Sequence, residues 1–209
     1  MELSIKNMAG ENTGKKIKLN DAIFAIEPND HAIYLDVKQY LADNRQGTAK
    51  AKQRSENAHS TRKLGRQKGG GGARPGDLKS PVRVGGGTIF GPVPRDYSFK
   101  LNKKVKQLAR RSALSTRAKN GEIVVLDALT FEAPKTKAMV EVLNNLKIAG
   151  KKVLFVMPAT VTEVIKSARN IERTNVTTVG ELNTYAIMNS NVVVFVKDSI
   201  AKLEETFNA

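Results

Sequence analysis

Residues 45–95 differ sharply in composition from the rest of this sequence. They hold 11 of the 16 Gly, four of the seven Pro and 12 Lys or Arg, against two acids, Glu56 and Asp77. Large apolar residues are sparse among them, so this segment cannot bury enough apolar surface to offset the entropy of ordering it. We therefore expect it to lack a hydrophobic core of its own.

The distribution of charge marks out the same region. Residues 45–119 carry 20 Lys or Arg and three acids, a net charge of +17, whereas the other residues carry 15 bases and 17 acids, a net charge of −2. This is the pattern of a nearly neutral folded body with a cationic attachment. The overall charge of +15 predicts a polyanionic partner, nucleic acid before an anionic membrane.

The basic segment could be a flexible linker between two domains or an insertion within one domain. Only 44 residues precede it, which is marginal for an independently folding unit. We therefore predict that residues 1–44 and 96–209 form one globular domain. Residues 45–95 are predicted to be a long extended loop that leaves this domain and returns to it.

The remainder of the chain has the sequence pattern of an α/β protein. Short runs of Val, Ile and Leu alternate with amphipathic segments, which is typical of parallel strands joined by helices. Strands are predicted at residues 3–6, 16–19, 123–126, 153–156, 176–179 and 192–196. Helices are predicted at residues 29–43, with Asn29 as the N-cap, and at 100–119, 135–146, 161–169, 181–188 and 199–206. The expected fold is a mostly parallel sheet with helices on both faces, a Rossmann-like three-layer body.

The predicted helix at residues 100–119 carries a basic face. At 100° per residue, one side collects the apolar residues Leu101, Val105, Leu108, Ala109 and Ala113. The helix contains no acid that could pair with its cations, and like charges at this spacing repel one another. A solvated cationic face has the same sequence pattern, but we favour an anionic surface opposite the helix. The cations on the other side are Lys103, Lys104, Lys106, Arg110, Arg111 and Arg117.

Enzyme motifs are absent from the sequence. There is no Cys and there are only two His, which excludes disulfides, thiolate metal sites and cysteine nucleophiles. The Gly-rich run at 85–91 is followed by Pro92 and Pro94, which prevent the helix that a dinucleotide-binding loop requires. The run at 69–72 lacks the Gly-Lys-Ser/Thr of a phosphate-binding loop. We therefore predict no enzyme activity, catalytic residue, cofactor or metal; a nucleotide-dependent enzyme on a doubly wound sheet is the alternative.

Membrane association is not expected either. The apolar runs are far shorter than the roughly 20 residues that a transmembrane helix needs. The first residues lack the apolar core of a signal peptide. We therefore expect a cytoplasmic protein.

The basic segment combines the residue types that bind phosphate. Arg offers a planar fork, Lys a mobile point charge, and Gly lets the backbone approach closely. Aromatic residues are few and no helix–turn–helix or zinc-finger spacing occurs, which favours recognition of the shape and backbone of folded RNA. A DNA-binding regulatory protein, or a basic segment that binds any polyanion, is an alternative. The predicted RNA-binding residues of this segment are Arg45, Lys50, Lys52, Arg54, Arg62, Lys63, Arg66, Gln67, Lys68, Arg74, Lys79, Arg83 and Arg95.

An ordered series of short motifs runs nearly from end to end of the chain. The motifs are Arg45-Gln46-Gly47-Thr48, Arg62-Lys63-Leu64-Gly65-Arg66-Gln67-Lys68-Gly69, Ala73-Arg74, Ser80-Pro81, Gly85-Gly86-Gly87, Phe90-Gly91-Pro92, Pro94-Arg95, Leu101-Asn102-Lys103-Lys104-Val105, Glu132-Ala133-Pro134-Lys135-Thr136-Lys137 and Ser167-Ala168-Arg169-Asn170. Together they resemble the family of bacterial large-subunit ribosomal protein four. The chain departs from many members at Gly65, where they carry an aromatic residue, and at Gly72, where they carry Arg.

The resemblance implies a structural constituent of the large ribosomal subunit that binds 23S ribosomal RNA early in assembly. It also implies that the loop lines the nascent-peptide exit tunnel near the macrolide site, and some members repress their own operon. The implied partners are large-subunit ribosomal RNA, neighbouring ribosomal proteins and the nascent peptide, with no stable homo-oligomer. The residues that match the tunnel tip are Arg62, Lys63, Leu64, Gly65, Arg66, Gln67 and Lys68.

Overall fold

The computed structural model, which describes residues 1–208, contains a six-stranded sheet that is mostly parallel. In the order β2-β1-β3-β6-β4-β5, only the β1–β2 pair is antiparallel. The predicted α/β class with a mostly parallel sheet is confirmed. The strands are β1 (Glu2–Lys6), β2 (Asn12–Lys18), β3 (Ile123–Leu126), β4 (Val153–Met157), β5 (Thr174–Thr178) and β6 (Val192–Val196).

Seven α-helices occur within the described residues. The N-cap predicted at Asn29 is confirmed, since its side-chain oxygen accepts a hydrogen bond from the backbone of Ala32 at 2.9 Å. None of the helices has the length and apolar character needed to span a membrane. The helices are α1 (Asp21–Phe24), α2 (Asp30–Asp43), α3 (Lys103–Lys119), α4 (Thr136–Asn145), α5 (Thr162–Ala168), α6 (Thr184–Asn189) and α7 (Lys197–Asn208).

Several boundaries differ from those predicted from sequence, and polar residues account for the larger differences. Strand β2 begins at Asn12 rather than at residue 16, and β5 begins at Thr174 rather than at residue 176, because an edge strand pairs on one side only and tolerates polar side chains. The helix predicted at 181–188 is instead a 3-10 turn, Val179–Glu181, followed by α6. Asn183 separates them: its backbone is extended, and its side chain accepts a hydrogen bond from the Ala186 amide at 2.7 Å.

Side chains of the central strands alternate between two hydrophobic clusters. Leu154 and Val156 of β4 belong to the first cluster, whereas Val153, Phe155 and Met157 belong to the second. Strand β6 alternates in the same way, because successive side chains of a strand point to opposite faces. Both strands are buried along their whole length, which explains why they read as continuous apolar runs.

The two clusters draw on different helices. Residues of α1, α2, α3, α6 and α7 contribute to the first cluster, among them Phe24, Leu114 and Ile200. Residues of α4 and α5, among them Met139 and Val164, contribute to the second. In the first cluster the rings of Phe24 and Phe195 meet edge to face with centroids 6.1 Å apart.

The backbone divides into two compact units. One comprises Met1–Leu41 together with the chain from Lys100 onward, and contains the sheet and both clusters. The other is Ala42–Phe99. This second unit holds the basic segment, where the 3-10 turn Arg54–Glu56 is the single regular element between residues 45 and 95.

Replacing Phe195 with Ala tests the first cluster. Phe195 is completely buried, so F195A should lower the free energy of unfolding by about 3–5 kcal/mol, through lost apolar burial and the cavity left behind. Urea unfolding measures the change. The control is V140A on the exposed side of α4, which should change stability by less than about 0.5 kcal/mol. A loss below about 1 kcal/mol in F195A would contradict the assigned packing.

Candidate nucleic-acid interface

Residues 45–95 fold back on themselves as a ribbon of two arms, referred to below as the basic ribbon. Leu64 donates its amide hydrogen to Gly76 in the innermost cross-arm bond, so the predicted tip residues Arg66 and Lys68 lie in the closed end of the ribbon. Four backbone hydrogen bonds join the arms: Arg95 N–H to Gly47 O at 3.1 Å, Ala51 N–H to Pro92 O at 3.0 Å, Thr88 N–H to Lys52 O at 2.9 Å and Leu64 N–H to Gly76 O at 3.1 Å.

Close approach of the two arms depends on glycine. A Cβ at Gly87 would lie 2.3 Å from the backbone nitrogen of Arg54 on the opposite arm, which is far inside van der Waals contact. At the closed end the situation is reversed: a Cβ at Gly70 would meet no atom within 4 Å. Packing inside the ribbon therefore accounts for Gly87, while nothing within the described chain requires Gly70.

The ribbon has no apolar core, as its composition predicts. Val84 and Phe90 are fully exposed, and Val82 is 93% exposed. Hydrogen bonds and turns, rather than buried apolar surface, hold the arms together.

Both acids of the ribbon are used to hold its own shape. Glu56 pairs with Lys50 and accepts a hydrogen bond from the Gln53 amide at 3.2 Å. The bond from Lys50, then that from Gln53, lowers the pKa of the Glu56 carboxyl. Asp77 is buried, and its carboxylate lies 3.0 Å from the Arg54 guanidinium.

Most cations of the ribbon consequently have no acid beside them. Lys63 bonds to the uncharged amide of Gln67. Every Lys and Arg of the ribbon is exposed except Lys79, which is half-buried. Between residues 1 and 208, no carboxylate within ion-pair distance accompanies the cations Arg45, Lys52, Arg62, Lys63, Arg66, Lys68, Arg74, Lys79, Arg83 and Arg95.

The closed end surrounds an open cleft of about 640 Å³. Arg66, Lys68 and Arg74 line it together with Gln67 and a run of glycine backbone. Positive side chains and accessible amide groups around a concave surface suit phosphate oxygens.

The buried side of α3 agrees with the predicted one in part. Ala109 and Ala113 are completely buried, as predicted, but Leu108 is 40% exposed and Leu101 precedes the first turn. Leu114, which was not placed on the predicted apolar side, is also completely buried. The Ser112 hydroxyl accepts a hydrogen bond from the Asn29 amide at 3.1 Å, and the Ser115 hydroxyl donates to Ile23 O at 3.1 Å. These two serines satisfy buried backbone groups, so the buried side of the helix includes polar residues that an apolar pattern does not mark.

Four cations of α3 are available for an external anion. Lys103 and Lys104 are exposed, and Lys106 and Arg110 are half-buried. Within the described part of the chain none of the four has a carboxylate at ion-pair distance.

The other two predicted cations of α3 are engaged inside the body. Arg117 donates to Ile187 O at 3.2 Å and to Met188 O at 2.7 Å, and it pairs with Glu122 just beyond the helix. Arg111 donates to Phe207 O at 3.0 Å and lies over the ring of the same residue. The structure therefore does not group Arg111 and Arg117 with the free cations of this helix.

One residue near the ribbon was not suggested by the sequence. Tyr97 has the guanidinium carbon of Arg45 3.7 Å from its ring centroid and that of Arg95 at 4.4 Å. The available signal was an aromatic residue in an aromatic-poor segment, two positions after a cation. Among the described residues, no group of three or more His, Asp or Glu could hold a metal ion.

The chain therefore combines an α/β body with a ribbon of unneutralised cations. Comparison with known sequences makes this more specific. Residues 17–206 match the model of the Ribosomal protein L4/L1 family. The chain belongs to this family, and is thus a ribosomal protein and not an enzyme.

Similar curated proteins cover the whole chain. Large ribosomal subunit protein uL4 of Parabacteroides distasonis is 62% identical over 209 residues, which is all of both chains. The protein of the same name from Bacteroides fragilis is 59% identical over 98% of both chains, and that from Flavobacterium johnsoniae is 52% identical over the full length of both. The sequence-based assignment to the large-subunit ribosomal protein four family is confirmed.

Two matched variants distinguish the internal and the free cations of α3. R117M removes the donor to two carbonyl groups and to Glu122, so it should lower the free energy of unfolding by about 2–3 kcal/mol. R110M removes the same charge from a residue without such partners and should cost less than about 0.5 kcal/mol. Urea unfolding compares the two; equal losses would contradict the different roles.

Proposed function

We propose that this protein is a structural constituent of the large ribosomal subunit that binds 23S ribosomal RNA. It acts in the cytoplasmic ribosome, beside neighbouring large-subunit proteins, without a membrane or a stable homo-oligomer. Family membership and the names of the relatives support the subunit. The observation that carries RNA binding is the row of exposed ribbon cations without acid partners.

The physical basis of the binding is neutralisation of phosphates. Each phosphate that meets a Lys or Arg releases condensed counterions, and the released ions favour the complex at low salt. The ribbon supplies most of these contacts. Lys103, Lys104, Lys106 and Arg110 of α3 supply a second set on the body.

The proposed architecture has two parts, a folded domain and a loop. Residues 1–44 and 96–209 form a Rossmann-like three-layer domain, an arrangement favoured by the two clusters that alternate along β4 and β6. Residues 45–95 form an extended loop that becomes ordered when RNA surrounds it, since the segment has no core to stabilise it alone.

The closed end of the ribbon lines the nascent-peptide exit tunnel near the macrolide site. Resemblance of residues 62–68 to the family's tip motif supports this placement, as does their position around the innermost cross-arm bond. The nascent peptide is then a partner of this end. The protein binds early in subunit assembly, and the same cations serve any repression of its own operon through a folded messenger leader.

Salt dependence tests RNA binding by the ribbon. The fourfold variant R62Q/R66Q/K68Q/R74Q should bind large-subunit RNA more weakly, because it loses up to four phosphate contacts. The slope of log affinity against log salt should become shallower by about 0.7–0.9 for each lost contact. Filter binding from low to high salt measures both quantities.

The control variant removes the same charge from exposed body lysines. K15Q/K137Q/K151Q/K166Q should keep the wild-type affinity and slope, since these side chains lie outside the ribbon and α3. Equal effects of the two variants would show that binding follows net charge alone. Failure of the wild-type chain to sediment with large subunits in a sucrose gradient of lysate would refute the proposed function.

Charge reversal at the closed end tests the tunnel placement. In cells that depend on this protein, R66E should alter macrolide susceptibility, because Arg66 would lie at the tunnel wall. K137E on α4 is the control and should leave susceptibility unchanged. The measurement is the inhibitory concentration, combined with the melting temperature of each purified variant. Unchanged susceptibility in R66E ribosomes that contain the variant would contradict the placement.

A further inference from the structure

A stacked cluster lies at the open end of the basic ribbon, where its first and last residues come together. It consists of Arg45, Arg95 and Tyr97. Both guanidinium carbons lie within 4.4 Å of the ring centroid of Tyr97, well inside the range of cation–π contacts. Two positive groups therefore share one ring, although like charges repel at this separation. Both arginine side chains are otherwise exposed.

Backbone contacts hold the residues of the cluster together. The Arg95 amide donates to Gly47 O at 3.1 Å and ties the two arms together. Gly47 has a φ of +66°, and a Cβ there would lie 2.1 Å from Arg95 O and 3.1 Å from the Tyr97 ring. Glycine at this position thus allows both the turn and the close approach that brings Arg45 and Arg95 to the same ring.

No acid of the described chain neutralises the pair. Asp96, the nearest carboxyl in sequence, accepts hydrogen bonds from the amide and the hydroxyl of Ser98 at 2.9 and 2.8 Å. Residues 1–208 place no other carboxylate within ion-pair distance of Arg45 or Arg95. Arg95, first through a hydrogen bond and then through its charge, also lowers the pKa of the Tyr97 phenol, an effect expected where positive charge is concentrated.

We propose that Arg45, Tyr97 and Arg95 form a clamp for the phosphodiester backbone of RNA. The ring holds the two guanidinium planes, and their N–H edges donate to non-bridging phosphate oxygens. Tyr97 is a positioning residue that does not itself touch the phosphate. This inference rests on the proposed function, because it assumes that the chain binds ribosomal RNA, and it adds a defined phosphate site at the base of the ribbon.

An RNA backbone fits this cluster better than a free phosphate ion. The two guanidinium groups are exposed rather than enclosed in a pocket, so a small ion would keep most of its water. A continuous strand can instead bridge both groups and continue along the neighbouring cations of the ribbon. Prior alignment of two flexible side chains on one ring also reduces the entropy lost on binding.

Three variants of the full chain test the clamp by filter binding to large-subunit RNA at several salt concentrations. Y97L should weaken binding roughly three- to tenfold through the loss of two cation–π contacts. Its salt slope should equal that of the wild type, since both charges remain. Y97F keeps the ring and loses only the hydroxyl contact with Arg95, so it should retain most of the affinity that Y97L loses. R95Q should weaken binding and also make the slope shallower by about 0.7–0.9, the value for one phosphate contact.

Each other result counts against the clamp. Wild-type affinity in Y97L, or equal weakening in Y97L and Y97F, would show that the ring does not position the arginines. A shallower slope in Y97L would mean that the ribbon had lost several contacts at once through disruption. Saturable binding of inorganic phosphate by the wild type but not by Y97L, with equal RNA affinity of the two, would assign the cluster to a free ion. If the wild type itself binds no large-subunit RNA, the proposed function fails; if only the Y97L effect is missing, the clamp alone fails.

Discussion

Repulsion among unpaired cations is the constraint on which the rest of this structure depends. The ribbon contains 12 Lys or Arg and two acids, and both acids serve internal contacts with Lys50, Gln53 and Arg54. Without a core, the segment has hydrogen bonds between its arms, the two ion pairs of its acids and the contacts of its arginines with Tyr97 to oppose this repulsion. In the proposed complex, RNA would remove this repulsion by neutralising the charges, so the charges that destabilise the free ribbon would stabilise the bound one.

The body provides what the ribbon lacks. Strands β4 and β6 are buried along their whole length between two clusters. Residues 1–44 and 96–209 carry 23 Lys or Arg and 18 acids, a net charge of +5, against +10 for the much shorter ribbon. Arg117 shows how the two regions differ in their use of the same residue type. Its guanidinium donates to the carbonyl groups of Ile187 and Met188 and pairs with Glu122. The ribbon arginines other than Arg54 have no carboxylate of the described chain within ion-pair distance.

Sequence alone predicted the features that depend on local pattern. Strands β3 and β6 have the predicted bounds, because continuous Val, Ile and Leu runs mark strands buried on both faces. The polar start of β5 at Thr174 and the four-residue helix α1 were missed, since neither carries an apolar period. In the candidate site, charge revealed the ribbon cations. Charge alone could not show that Arg110 is free while Arg111 is engaged, because the acceptor of Arg111 is the carbonyl group of Phe207, 96 residues later. It also could not reveal the contacts of Tyr97 with both arms.

The glycines of the ribbon fall into two groups with different origins. Gly87 is needed by the protein itself, because a side chain would collide with the backbone of Arg54. Gly70 faces open space on every side, so the isolated chain would accept a side chain there without a steric clash. In the proposed complex, any restriction on residue 70 would come from the RNA around the closed end. The purified chain would then tolerate substitutions that the assembled particle rejects, and the positions where the two disagree would trace the surface of the partner.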